Sequence, residues 1–139
     1  MGEDNGKFWR GPITTHQQAE KIVNYTAGGY GILGALGILT AFSPTSHNNV
    51  FIGLLFGALS LGLMRAKSLL AARLLLGVSA FSVVAPFAMF VYGLTSGHQE
   101  YAWIGLFLAV IWFFPALATA RACTAAKFIR DHRLLAQAI

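Results

Sequence analysis

The chain has 139 residues, of which 56% are apolar and only 11% are charged, and its mean hydropathy is +0.62. A soluble domain averages about 25% charged residues, so this chain carries too few to cover a water-facing surface. The same figures exclude a disordered chain, which needs high charge density, and a single cysteine excludes a disulfide-rich fold. The composition therefore predicts an integral membrane protein.

Four apolar stretches are long enough, or nearly so, to cross a hydrocarbon core as helices. A core of roughly 30 Å needs about 20 helical residues, and a helix satisfies its own backbone groups in lipid. The stretches lack the alternation that is typical of a membrane β-barrel. We predict an all-α integral membrane four-helix bundle over residues 22–120, with spans at about 22–42, 48–66, 74–94 and 102–120.

Residues 1–21 precede the first span and are predicted to form a cytoplasmic N-terminal segment. Gly11-Pro12 interrupts this segment, and Thr14 or Thr15 is placed to cap a helix that continues into the first span. The connections 43–49 and 95–100 are short. Short connections make spans one and two antiparallel neighbours, and likewise spans three and four. The bundle is therefore expected to consist of antiparallel helical hairpins.

The basic residues lie on one side of the predicted membrane. All 10 lysines and arginines precede span one, lie at the end of span two or between spans two and three, or follow span four. Basic loops favour the cytoplasmic side, so we predict a multi-pass cell membrane protein, of the bacterial inner membrane type, with both termini cytoplasmic. A basic rim that faces anionic lipid accounts for the net charge of +5 without nucleic acid.

Small residues are concentrated in the first two spans, and Gly53 and Gly57 form a GxxxG motif. Small residues let helices approach closely in lipid, where no hydrophobic force drives their association. We predict that these two spans pack tightly together or present this face to a partner. The predicted helix-packing interface contains Ala27, Gly31, Gly34, Ala35, Gly53 and Gly57.

The two predicted hairpins align when residue 22 is set against residue 74 and residue 50 against residue 102. Ile52-Gly53-Leu54 then falls on Ile104-Gly105-Leu106. Two such halves would be related by an axis along the membrane normal. Identity beyond this tripeptide is negligible, and shared hydropathy is enough to explain the match.

Residues 121–139 contain neither glycine nor proline and have helical apolar spacing. They are predicted to form a cytoplasmic amphipathic C-terminal helix, which either extends span four or lies on the membrane surface. Basic residues near the cytoplasmic rim are candidates to bind lipid headgroups or to dock an acidic partner. They are Arg65, Lys67, Arg73, Arg121, Lys127, Arg130 and Arg133.

No ionisable residue lies inside the apolar runs of the four spans, which are residues 22–42, 50–64, 74–94 and 102–120, and this argues against proton-coupled transport. The four histidines lie outside the spans, so they supply no ligands to a buried haem, and no nucleophile motif is present. The sequence therefore predicts no catalytic residue, no metal site, no cofactor and no enzymatic activity.

We predict a non-catalytic accessory or scaffold subunit, surrounded by membrane lipids and packed against other membrane subunits or copies of itself. One alternative is an oligomeric channel or an uncoupled small-molecule transporter, and another is a lipid-modifying membrane enzyme that uses the basic rim. The channel would be lined by weakly polar residues such as Asn24, Thr26, Tyr30, Ser60, Ser79 and Ser82.

Overall fold

The computed structural model describes residues 11–40 and 49–137. This part of the chain forms four α-helices: α1 (His16–Thr40), α2 (Asn49–Ala66), α3 (Leu69–Ser96) and α4 (Gln99–Gln137). No strand occurs among the described residues, so the all-α prediction is confirmed. Residues 1–10 of the predicted N-terminal segment, and all but the last residue of the predicted connection 43–49, lie outside the described residues.

Three of these helices are long and apolar enough to cross a membrane: α1, α3, and α4 as far as Ala136. The apolar part of α2 is the shorter stretch Val50–Ala66. A residue in an α-helix rises 1.5 Å, so the 39 residues of α4 extend about 58 Å, well beyond a hydrocarbon core of roughly 30 Å. The length and composition of these helices are compatible with a membrane protein.

Side chains and glycine geometry explain where the helices begin and end. The Thr15 hydroxyl accepts a hydrogen bond from the backbone N–H of Gln18 at 3.2 Å, as expected of the predicted cap. At the start of α3, the Ser68 hydroxyl accepts one from the backbone N–H of Ala71 at 3.3 Å. Gly97 ends α3 in the left-handed conformation, with φ of 77°, which costs glycine no steric strain.

The connection between α2 and α3 consists of Lys67 and Ser68 alone. Lys67 has a φ of 50°, in the left-handed region that favours glycine. We call α1 and α2 the first hairpin, and α3 and α4 the second hairpin. The end of the molecule that contains Lys67 and Ser68 is the link end. The opposite end, where α1 ends, α2 begins and Gly97 and His98 connect α3 to α4, is the turn end.

The helices of each hairpin pack along each other, and the two hairpins share less contact. In the first hairpin Gly34 lies against Gly53, while Ala27 lies against Ser60, so the two helices are antiparallel. Between the hairpins, α1 contacts α4 more extensively than α2 contacts α3.

The hydrophobic core lies at the link end. It joins the first half of α1 to α2, to the start of α3 and to the C-terminal half of α4. Its members are Ala19, Ile22, Val23, Ala27, Tyr30, Phe56, Leu63, Ala71, Ala72, Leu75, Ala122, Ala125, Ala126 and Ile129. Span four is predicted to end at residue 120, yet four of these core residues follow it. The reason is that α4 is one continuous helix whose later turns pack against α1.

Candidate functional site

The first hairpin has a glycine contact at which the two backbones touch. A Cβ placed on Gly53 would lie 2.7 Å from the backbone nitrogen of Ile38 and 2.8 Å from the carbonyl oxygen of Gly34. A Cβ on Gly34 would lie 2.9 Å from both the carbonyl oxygen of Gly53 and the backbone nitrogen of Gly57. These are backbone atoms, which cannot rotate away, so both positions require glycine at this helix separation.

The other predicted packing residues fall at different places. Ala27 is fully buried, and its carbonyl oxygen accepts a hydrogen bond from the Ser60 hydroxyl at 2.6 Å. A Cβ on Gly31 would lie 3.2 Å from the same hydroxyl oxygen. A Cβ on Gly57 would meet nothing within 4 Å, and Ala35 is exposed. The structure therefore brings Ala27, Gly31, Gly34 and Gly53 to the contact, whereas the open side of Gly57 and the side chain of Ala35 lie away from it.

The second hairpin has an equivalent contact that the sequence prediction omitted. A Cβ on Gly105 would lie 2.5 Å from the carbonyl oxygen of Pro86 and 2.6 Å from the backbone nitrogen of Phe90. A Cβ on Gly93 would overlap the backbone nitrogen of Ala102. The signal that could have identified Gly105 was present, because it aligns with Gly53 in the shared Ile-Gly-Leu tripeptide.

The two contacts are related by one sequence offset. Gly53 lies against the carbonyl of residue 34 and the nitrogen of residue 38, and Gly105 lies against the carbonyl of residue 86 and the nitrogen of residue 90. All three positions therefore differ by 52, which is the offset at which the apolar stretches align. The two hairpins consequently repeat the same backbone packing, although few side chains are shared.

Three hydroxyl groups meet between the hairpins, and we call them the hydroxyl cluster: Tyr30, Ser79 and Thr119. The Tyr30 hydroxyl lies 2.9 Å from that of Thr119 and also contacts that of Ser79. Ser79 donates to the carbonyl of Leu75, and Thr119 donates to the carbonyl of Pro115, each at 2.6 Å. The Tyr30 phenol is therefore left to donate to one of the two hydroxyl oxygens, which ties α1 to α3 and α4.

The remaining residues predicted to line a channel also bond to protein groups. Thr26 donates to the carbonyl of Ala118 at 3.4 Å, and Ser82 donates to the carbonyl of Val78 at 2.9 Å. Asn24 is exposed, and its side-chain oxygen accepts a hydrogen bond from Lys67. In a single chain these groups therefore form hydrogen bonds between helices and within helices.

The predicted basic residues all lie toward the link end. Arg65, Arg73, Lys127 and Arg133 are exposed, while Arg130 pairs with Asp131 at 3.0 Å. Arg121 is half-buried: it donates to the carbonyl of Gly11, and its Nε is buried with no hydrogen-bond partner among the described residues. A guanidinium at this position holds the segment before α1 against α4.

Within residues 11–40 and 49–137, no three side chains of His, Cys, Asp or Glu form a group that could hold a metal ion. Cys123 is a free, half-buried thiol on α4. Comparisons of the chain with protein-family models, with curated proteins and with solved structures found no match.

Proposed function

We propose that this protein is a small multi-pass membrane protein that acts as a non-catalytic accessory or scaffold subunit of a larger membrane complex. The observation that supports this proposal best is the extent of apolar surface that the fold leaves exposed. Large aromatic side chains are more than two-thirds exposed on all four described helices: Tyr25 at 68%, Phe51 at 77%, Phe81 at 72% and Trp103 at 70%. In a membrane, such faces contact lipid or the helices of another subunit.

The glycine contacts give each hairpin a defined shape before any partner binds. Close approach lets backbone and small side chains pack without a hydrophobic driving force between helices in lipid. The faces that point away from these contacts carry the bulky residues, which suit packing against a partner helix. The proposed role is therefore to present preformed apolar faces rather than to perform chemistry.

In this proposal the basic residues of the link end face the cytoplasm. Each basic residue near an anionic membrane surface is worth about 1 kcal/mol, so this rim would hold the subunit at a fixed depth. Both termini would then be cytoplasmic. Single cysteines at Ser96 and Ala136, in a Cys123→Ser background, test this orientation with a membrane-impermeant thiol reagent. Labelling of the first and protection of the second in intact cells is expected, and the reverse pattern would contradict the orientation.

Site-specific photocrosslinking tests the role itself. A benzophenone amino acid is placed in turn at Phe51, Phe81 and Trp103, and at Ala136 as a control outside the apolar faces. We expect at least one apolar position to crosslink a single larger membrane protein in stoichiometric yield, and removal of this chain to lower that protein's abundance. Crosslinks to lipid alone at every position would refute the subunit role. Crosslinks only between copies of this chain would favour the oligomeric channel instead.

A further inference from the structure

We propose that the two hairpins are rigid bodies that pivot about their contact at the link end, so that their turn ends separate and close like a wedge. The inference concerns motion built into the fold and does not depend on the proposed function.

Rigidity within each hairpin follows from the glycine contacts. At Gly53 and at Gly105 the backbone of the facing helix is very close. A Cβ on either glycine would lie 2.5–2.8 Å from two backbone atoms of that helix. Gly93 adds a second close approach near the turn of the second hairpin. Helices in such contact interlock, and sliding or separating them would remove packing along most of their shared length. Each hairpin therefore moves as one unit.

Among the described residues, the core and the hydrogen bonds that join the hairpins lie at the link end and in the middle of the molecule. The hydrophobic core extends from Ile129 and Ala19 to Tyr30 and Phe56, and the hydroxyl cluster lies at the Tyr30 level. Phe56 contacts Trp112 of the other hairpin, with ring centroids 6.2 Å apart. These contacts form a compact region about which one hairpin can rotate relative to the other.

Beyond this region, toward the turn end, burial occurs only inside a hairpin. The buried residues there are Gly34 and Gly53 in the first hairpin, and Gly93, Ala102 and Gly105 in the second. Ala109 is also buried, one turn along α4 from Gly105 on the same helix face. No described residue at the turn end belongs to the core that joins the hairpins. Among residues 11–40 and 49–137, the core and the hydrogen bonds that join the hairpins therefore do not reach this end.

The connection at the link end suits a pivot. Lys67 and Ser68 are the only residues between α2 and α3, and Lys67 already has a left-handed backbone conformation. Hinges are commonly a few residues at the ends of elements that absorb a change in backbone angles. A two-residue connection also keeps the hairpins together at this end while the opposite ends move.

Pulsed electron paramagnetic resonance on spin-labelled cysteine pairs tests the proposal in lipid nanodiscs, in a Cys123→Ser background. The pair Leu39→Cys and Leu94→Cys reports the distance between the hairpins at the turn end, at side chains that are 64% and 60% exposed. One matched control pair lies within the second hairpin, Leu94→Cys with Trp103→Cys. The other lies between hairpins at the link end, Leu61→Cys with Leu74→Cys. All these side chains are exposed, so labelling is expected to leave the fold intact.

The proposal predicts a distance distribution for the turn-end pair that is at least about twice as broad as that of either control pair, as expected for two or more populated states. A turn-end distribution as narrow as the controls would overturn it, because the hairpins would then have one fixed arrangement. A broad distribution for the pair within the second hairpin would also overturn it, because the hairpin would not be rigid.

Discussion

Replacing Gly53 by alanine tests whether the glycine contact holds the first hairpin together. The new Cβ would lie 2.7 Å from the backbone nitrogen of Ile38, whereas ordinary van der Waals contact begins at 3.4 Å. The helices would have to separate by about 0.7 Å, and forced overpacking of this kind costs about 1–3 kcal/mol. Alanine also favours a helix over glycine by about 1 kcal/mol in water, so we expect a net loss of about 0–2 kcal/mol.

The matched control is Gly57→Ala, one turn along the same helix. A Cβ at Gly57 meets nothing within 4 Å, so only the gain in helix propensity remains. The equivalent position of the second hairpin, 52 residues later, is already an alanine, the buried Ala109. Reversible unfolding in mixed micelles, with rising fractions of denaturing detergent, measures both variants. Equal free energies of unfolding for the two variants would refute the assignment of the contact to Gly53.

Three further predictions concern the hydroxyl cluster, the link and the end of α4. Tyr30→Phe removes the hydroxyl group that joins α1 to α3 and α4, so we expect a loss of about 0.5–1.5 kcal/mol in the same unfolding assay. The exposed Tyr92→Phe should have no effect, and an equal loss in both variants would contradict the structural role of the cluster. In an Asn24→Ala background, Lys67→Gly should be about 1 kcal/mol more stable than Lys67→Ala, because glycine adopts a φ of 50° without strain; equal stabilities would show that this backbone is unstrained. Truncation after Ile129 should preserve the thermal unfolding temperature, whereas truncation after Lys127 should lower it. The second truncation removes Ile129, which is only 1% exposed and whose burial is worth about 1.5–3 kcal/mol. Equal unfolding temperatures for the two truncated chains would mean that the core ends before Ile129.

Much of the fold could be predicted from the sequence because hydropathy and caps act locally. The long apolar stretches identified all four helices, and Thr15 was recognisable as a cap from its position before a helical pattern. The difference between Gly53 and Gly57 could not be predicted, since a GxxxG motif states that two glycines share a helix face but not which of them lacks room for a Cβ. That choice depends on the helix crossing, which long-range packing determines.

The extent of the core was underestimated for a different reason. Ala122, Ala125, Ala126 and Ile129 follow the spacing of one helix face, yet three of them are alanines and carry little hydropathy signal. Large apolar residues further along, such as Leu134 and Leu135, dominated the pattern, and both are more than half exposed. Small residues that pack closely are therefore easier to overlook in a sequence than bulky residues that face outward.

The repetition of one backbone contact in two consecutive hairpins has a consequence for the order of folding. Each glycine contact joins residues fewer than 30 positions apart, whereas the bonds from Tyr30 to Thr119 and from Thr26 to Ala118 span 89 and 92 positions. Local contacts form quickly, and distant ones must wait for a large loop to close. During synthesis the first hairpin can be complete before α3 has emerged, and the second can form by the same local steps. The hydroxyl cluster would then close last, when two finished hairpins dock, and a defect there would slow assembly without altering either half.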